Sequence, residues 1–403
     1  MKAALRIAVV ALGALLAAVS VASAAPRAAT TIMISIDGFR ASYLDRGVTP
    51  ALSALAADGV RSSLRPSFPS VTFPNHFTLV TGLYPDHHGI VANHFEDPEL
   101  GRVFDMTDVK GASDPSWWTG GAPIWATATA AGVTPAIESW PSFGGGGMPA
   151  LYEAFDPNRS MAAEVDRMLS WLDLPPARRP RLVLGYFYPV DHAGHEFGPD
   201  SPQVAQVAGE ADAAIGRLVA GLKARGMWEQ TNLIVVADHG MAETSRERTI
   251  ALDDMVDVND LRVVTSGPLA GLAPVGGRES RVEGALLGRH GHMACWRKAA
   301  LPERFHYGTN ARIPPILCLA EVGWIIDTRA KLASAKAIGG AHGYDPDDAT
   351  MAALFVAHGP SFRPGVVLPK FDNVDVYPML ARLLGVKPVK NDGQLKDVAK
   401  ALR

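Results

Sequence analysis

The residues with the most chemistry to offer are one threonine and a scattered set of aspartates and histidines. Thr72 stands in Ser70-Val71-Thr72-Phe73-Pro74-Asn75-His76, at the head of an amphipathic helical pattern. Pro74 falls in the first turn, where a missing N–H costs nothing. A helix N-terminus presents free amides and a partial positive charge, a favourable place for a phosphate. A threonine there is most often only a cap, so its meaning depends on the acids. Asp37 closes the apolar run 31–36, Asp191 follows the run 181–188, and Asp238 follows 233–237. One aspartate after a strand means little, because Asp is a common turn residue. Three such strand ends are different, since ligands of open α/β sheets bind outside the carboxyl ends of the strands.

The histidines narrow the chemistry. Asp191 and His195 in Asp191-His192-Ala193-Gly194-His195 are spaced to face one point from a helical turn. Asp238-His239 offers adjacent ligands on a tight turn, and His342 lies in Gly339-Gly340-Ala341-His342-Gly343-Tyr344. Carboxylate and imidazole without thiolate is a set that suits catalytic zinc, with manganese or iron as alternatives.

The elements that must position these residues alternate along the chain. Strands are expected at 31–36, 181–188, 233–237 and 353–357, and helical patterns at 50–60, 122–131, 161–172, 203–223 and 374–384. Alternation of this kind points to an α/β fold with a largely parallel sheet and helices on both faces. From about 245 to 335 the pattern weakens, and this stretch reads as an inserted subdomain of one catalytic domain over 25–403. Glycines 144–147 read as a flexible surface loop.

Composition sets the frame. The 403 residues are 48% hydrophobic and 20% charged, as in ordinary globular proteins. Residues 1–24 read as a signal peptide: Lys2 and Arg6, an apolar run, then Ala22-Ser23-Ala24 as a cleavage site. The run is short for a membrane span, which needs roughly 20 apolar residues, so export to the periplasm or medium is expected. The net charge of −3 falls to about −5 without Lys2 and Arg6, which excludes a nucleic-acid-wrapping surface. Cys295 and Cys318 are open to either a structural disulfide or two buried thiols.

The stretches TFPNHFTLVTGLYPDHHGI, DHAGHEFGPD, ADHGM and AHGYDPDD resemble, in order, the nucleotide pyrophosphatase/phosphodiesterase (type I phosphodiesterase) family of the alkaline phosphatase superfamily. APIWATATAAG, LPERFHYGTNARIPPI and FVAHGPSF extend the resemblance over nearly the whole mature chain. The resemblance implies an alkaline-phosphatase-like fold and two Zn2+ per chain. Asp191, His195 and His342 would hold one; Asp37, Asp238, His239 and the Thr72 hydroxyl the other. Thr72 would be the nucleophile, forming a phosphothreonine or nucleotidyl-threonine that water at the Asp191 metal then releases. Asn93 and the Thr72 N–H would donate to a nonbridging phosphoryl oxygen. Phe73 would stack on a nucleobase, with Tyr152, or less favourably Trp140, as a second wall and Tyr188 lining the site.

The small-molecule substrate implied is a nucleotide or nucleotide-like diester, cleaved to a nucleoside 5′-monophosphate. Phosphate monoesters, phospholipid head groups or phosphonates on the same fold are the alternative. A sulfatase is disfavoured by Thr72 in place of Cys or Ser and by His76 in place of Arg. A binding module without turnover is disfavoured because every metal-site position is filled. The other histidines carry no assigned role, His292 in the insert being the first exception to look for.

Overall fold

The computed structural model describes residues 29–141, 144–333 and 337–403, so the expected signal peptide lies outside the described residues. Thr30–Ile36 (TTIMISI) is buried along its whole length at the middle of a nine-stranded sheet. A strand covered on both faces carries a continuous apolar run, which is why this one was plain from sequence. Leu182–Phe187, Pro135–Glu138 and the edge strand Leu151–Glu153 run parallel to it on one side, and Thr231–Val236 on the other. Ala353–His358 comes next, antiparallel to both Thr231–Val236 and Val60–Arg65. Val366–Val367 and Phe371–Asp372 pair along Val60–Arg65. The sheet is mostly parallel, with one reversed strand.

Helices cover both faces. Pro50–Asp58, Met161–Leu172 and Pro189–Phe197 all pack against Pro202–Ala224 on one face. Thr72–Thr81, Ile124–Ala130 and Val376–Leu384 pack together on the other. Thr72–Thr81 is buried on every side, so its pattern is not the amphipathic one expected. Gly146 and Gly147 are exposed as expected of a surface loop, but Gly144 and Gly145 are packed. Gly145 is buried, its carbonyl accepts from Trp125 Nε1 at 2.9 Å, and a Cβ on Gly144 would lie 2.0 Å from the Trp118 ring.

A second, five-stranded antiparallel sheet runs in the order Leu261–Thr265, Leu269–Pro274, Ile316–Ala320, Met293–Arg297, Gly288–His290. It has its own apolar core, including Leu272, Val282, Leu286 and Ile316. Cys295 and Cys318 face each other in its register and are joined as a disulfide, which resolves the pairing left open above. Among the described residues no helix is long and apolar enough to cross a membrane.

Candidate active site

Parallel neighbours deliver their carboxyl ends to one edge of the sheet. Asp37 lies just past Thr30–Ile36, Asp238 just past Thr231–Val236, and Asp191 in the helix Pro189–Phe197 that follows Leu182–Phe187. His342 follows the strand Ile338–Ala341. The fold gathers these into two groups that could hold a metal ion, Asp37/Asp238/His239 and Asp191/His195/His342, each with its candidate ligand atoms within 4.8 Å of one another. The first group is wholly buried, whereas His195 of the second reaches the surface. The groups adjoin, the His239 and His342 rings stacking with centroids 3.6 Å apart.

Two glycines permit this convergence. Gly38 has φ +63°, and a Cβ there would meet Asp191 at 2.9 Å. Gly340 approaches the Gly194 carbonyl so closely that a Cβ would lie 2.4 Å from it. The latter contact lets His195 in the helix donate its Nδ1–H to the Gly340 carbonyl at 2.7 Å.

The donor atoms are arranged as a metal requires. Each histidine gives Nδ1–H to a backbone carbonyl: His195 to Gly340, His239 to Gly240 at 2.9 Å and His342 to Ser70 at 3.0 Å. That fixes the tautomer and leaves Nε2 with a free lone pair. Each aspartate keeps one buried oxygen with no hydrogen-bond partner: Asp37 Oδ1, Asp191 Oδ1 and Asp238 Oδ2. His239 Nε2 lies 3.0 Å from Asp238 Oδ2 and 3.5 Å from Asp37 Oδ1, while His342 Nε2 lies 3.5 Å from Asp191 Oδ1. Lone-pair atoms at such distances need a proton or a cation between them. The residues fit a pair of divalent ions.

The electrostatics agree. Burial, followed by repulsion from Asp238 and Asp191, pushes the Asp37 carboxyl well above its ordinary range. Burial, with His239 and His195 beside it, pushes the His342 imidazole well below its own. The first shift describes a site short of positive charge, and the second keeps the His342 imidazole neutral with its Nε2 lone pair free. Tyr186 Oη donates to Asp37 Oδ2 at 2.5 Å, a partner hidden from sequence inside an apolar strand.

Thr72 is the first residue of its helix and only 4% exposed. Its hydroxyl caps no backbone amide; Oγ1 lies 3.3 Å from His239 Nε2. His76, given no role above, is fully buried one turn on. It donates Nδ1–H to the Thr72 carbonyl at 2.9 Å and its Nε2 meets Ser35 Oγ at 2.9 Å. Asn93 accepts from the Phe73 N–H at 2.9 Å through Oδ1. Because that N–H can only donate, the amide orientation is fixed and Nδ2 is left as the donor.

A cavity of about 480 Å³ opens over Asp37, Thr72, Asp191 and His195. Phe73 and Tyr188 line it, as do Phe155, Pro141 and Met106. Tyr152 does not. It lies in the edge strand Leu151–Glu153, half-buried against the core, and the chain turns Phe155 to the cavity instead. Trp140 is fully buried, edge-on to His76, and also off the lining. His192 lines the cavity. His292 does not; it stacks on Trp324 and bonds Glu321 at 2.8 Å on the second sheet.

This sheet, with a threonine and two carboxylate–imidazole groups at its carboxyl ends, has the alkaline-phosphatase-like fold. Residues 31–345 match the model of the type I phosphodiesterase/nucleotide pyrophosphatase family, and the chain belongs to that family of enzymes. An uncharacterized pyrophosphatase/phosphodiesterase of Schizosaccharomyces pombe is 39% identical over 382 residues, 90% of this chain and 78% of the relative. A bis(5′-adenosyl)-triphosphatase of Xenopus laevis is 35% identical over 91% of this chain and 80% of its own. Human ectonucleotide pyrophosphatase/phosphodiesterase 5 superposes with a TM-score of 0.88 at 33% identity, over 93% of this chain and 100% of that one. The murine protein, solved as an inactive threonine-to-alanine variant in complex with AMP, also gives 0.88, at 32% identity.

Proposed function

We propose that the chain hydrolyses phosphodiester or pyrophosphate bonds of nucleotides and related diesters, releasing nucleoside 5′-monophosphates through a covalent phosphothreonine on Thr72. The observation that carries this reading is the Thr72 hydroxyl, uncommitted to capping, beside two metal-type groups on the floor of an aromatic-walled cavity. Asp37, Asp238, His239 and the Thr72 hydroxyl would hold one Zn2+, and Asp191, His195 and His342 the other. Zinc there would supply Lewis acidity, lowering the pKa of an oxygen nucleophile and neutralising charge on the phosphoryl group.

Thr72 Oγ1 loses its proton to solvent and attacks phosphorus in line with the leaving group; the bond from phosphorus to the leaving oxygen breaks, and its electron pair departs with that oxygen, which takes up a proton from solvent if it is basic enough. Water then cleaves the phosphothreonine and returns the hydroxyl. Asn93 Nδ2 and the helix N-terminal N–H of Thr72 donate to a nonbridging oxygen, and preorganised donors of this kind contribute about 3 kcal/mol each to a transition state. His76 fixes the Thr72 carbonyl and so the first turn that carries the nucleophile. Phe73 and Phe155 offer faces for a nucleobase, about 1–3 kcal/mol per stacked base, and Tyr188 lines the same side. AMP in the murine relative supports a nucleotide at this site.

Residues 25–403 are read as one catalytic domain, with the second sheet in an insert at about 245–335, exported after loss of 1–24. Among the described residues no lysine or arginine lines the cavity, which disfavours a dianionic monoester. The test is a pair of rates on zinc-loaded protein, with the nitrophenyl ester of thymidine monophosphate against nitrophenyl phosphate. The diester is expected to be strongly preferred; preference for the monoester overturns the substrate assignment.

A further inference from the structure

Beside the cavity lies a second cluster of acids, buried and half-buried, that the chemistry above does not use. Glu138 and Glu153 face each other directly in the parallel pair Pro135–Glu138 and Leu151–Glu153, and Glu138 is fully buried. Like charges directly opposite push strands apart. Two arginines bridge them. Arg159 donates Nη1 to Glu138 Oε1 at 2.6 Å and Nη2 to Glu153 Oε2 at 3.4 Å. Arg167 donates Nη1 to Glu153 Oε1 at 2.9 Å and holds its Nε 3.3 Å from Glu138 Oε2.

The chain runs from this cluster into the cavity on both strands. After Glu138 come Ser139 and Pro141, and after Glu153 comes Phe155, all three on the cavity lining. Arg159 also donates to the Ala154 carbonyl at 3.2 Å, next to Phe155. Ser139 is tied to both glutamates: its N–H donates to the Glu153 carbonyl at 3.0 Å and its hydroxyl to Glu138 Oε1 at 3.2 Å. It is held at φ +60°, a conformation that costs a non-glycine residue energy and persists only where the surroundings impose it. The edge strand has three residues and one neighbour, too little backbone pairing to fix an arm alone.

We propose that Arg159 is a positioning residue for the substrate's base: through Glu138 and Glu153 it sets the wall that carries Ser139, Pro141 and Phe155. This rests on the nucleotide reading above. Glu164, on the helix Met161–Leu172 that also carries Arg167, is 4% exposed. Burial, and then Glu138, push its carboxyl up to about 8.

The test is the ratio of KM for nitrophenyl thymidine monophosphate to KM for bis(nitrophenyl) phosphate, a diester without a base. Arg159→Ala is expected to raise the ratio about tenfold, the loss of one base stack, with kcat on the baseless diester unchanged. Arg159→Lys restores only part, lacking the planar fork. A ratio unmoved by Arg159→Ala overturns the proposal. Should Arg159→Ala fail to fold, Arg159→Lys decides: a wild-type ratio in that variant overturns it. A wild type that binds both diesters equally overturns the nucleotide reading, and the proposal with it.

Discussion

Two clusters of carboxylates, mostly buried, stand near the carboxyl ends of the same sheet, and they are neutralised in different ways. Glu138 and Glu153 have Arg159 and Arg167, so the chain supplies the positive charge itself. Among the described residues, Asp37, Asp191 and Asp238 have no lysine or arginine in ion-pair reach; they meet histidines that have turned their lone pairs inward. A buried charge left unpaired is expensive enough that it is either protonated or matched by a cation. The first cluster is closed within the chain, and the second asks for ions from outside.

The comparison breaks most readily at the metal. Exhaustive chelation should abolish hydrolysis and lower the melting temperature, because three carboxylates then repel at close range; zinc should restore both. A chelated protein with unchanged activity and Tm would mean that protons alone satisfy the aspartates. Thr72→Ala is the next largest effect, a loss of about a thousandfold or more in kcat. Metal analysis of that variant should find nearly full occupancy, separating the nucleophile from the ions beside it. A smaller effect tests the wall: Phe155→Ala should raise KM for a nucleotide diester about tenfold, whereas Tyr152→Ala should leave it unchanged. Equal losses in the two variants would return Tyr152 to the site.

What was legible in the sequence follows from how locally each feature is encoded. Asp191 with His195 and Asp238 with His239 are contiguous motifs, each just past an apolar run that only a doubly covered strand would carry. Phe155 was not legible, because the three-residue edge strand before it has no periodicity to say which way its side chains point. Val60–Arg65 alternates buried and half-exposed residues, but its polar residues gave no strand signal and its first residue fell within the helical pattern expected at 50–60. Tyr186 hides within an apolar strand, and its bond to Asp37 depends on the pairing of two distant strands. The Glu138–Glu153 pairing is likewise a matter of register, which composition cannot express. The second sheet had weak signals throughout, and the nearness of its two cysteines is again a consequence of register.

The last prediction asks whether the closed cluster is closed for all of its acids. Glu164 has an ordinary value of 4.5 and is pushed up to about 8 in the fold, chiefly by burial and then by Glu138. The native state therefore keeps a proton that the unfolded chain releases. The stability this contributes is full below about pH 4.5 and is lost as pH rises through about 8. Glu164→Gln keeps the neutral shape and removes the proton from the equilibrium. Its melting temperature should gain on that of the wild type steadily between about pH 4.5 and 8, then hold a constant lead. If the two curves instead run parallel across that window, Glu164 is charged in the fold. Two guanidinium groups would then be balancing three carboxylates, and the contrast with the metal-type cluster would become one of degree.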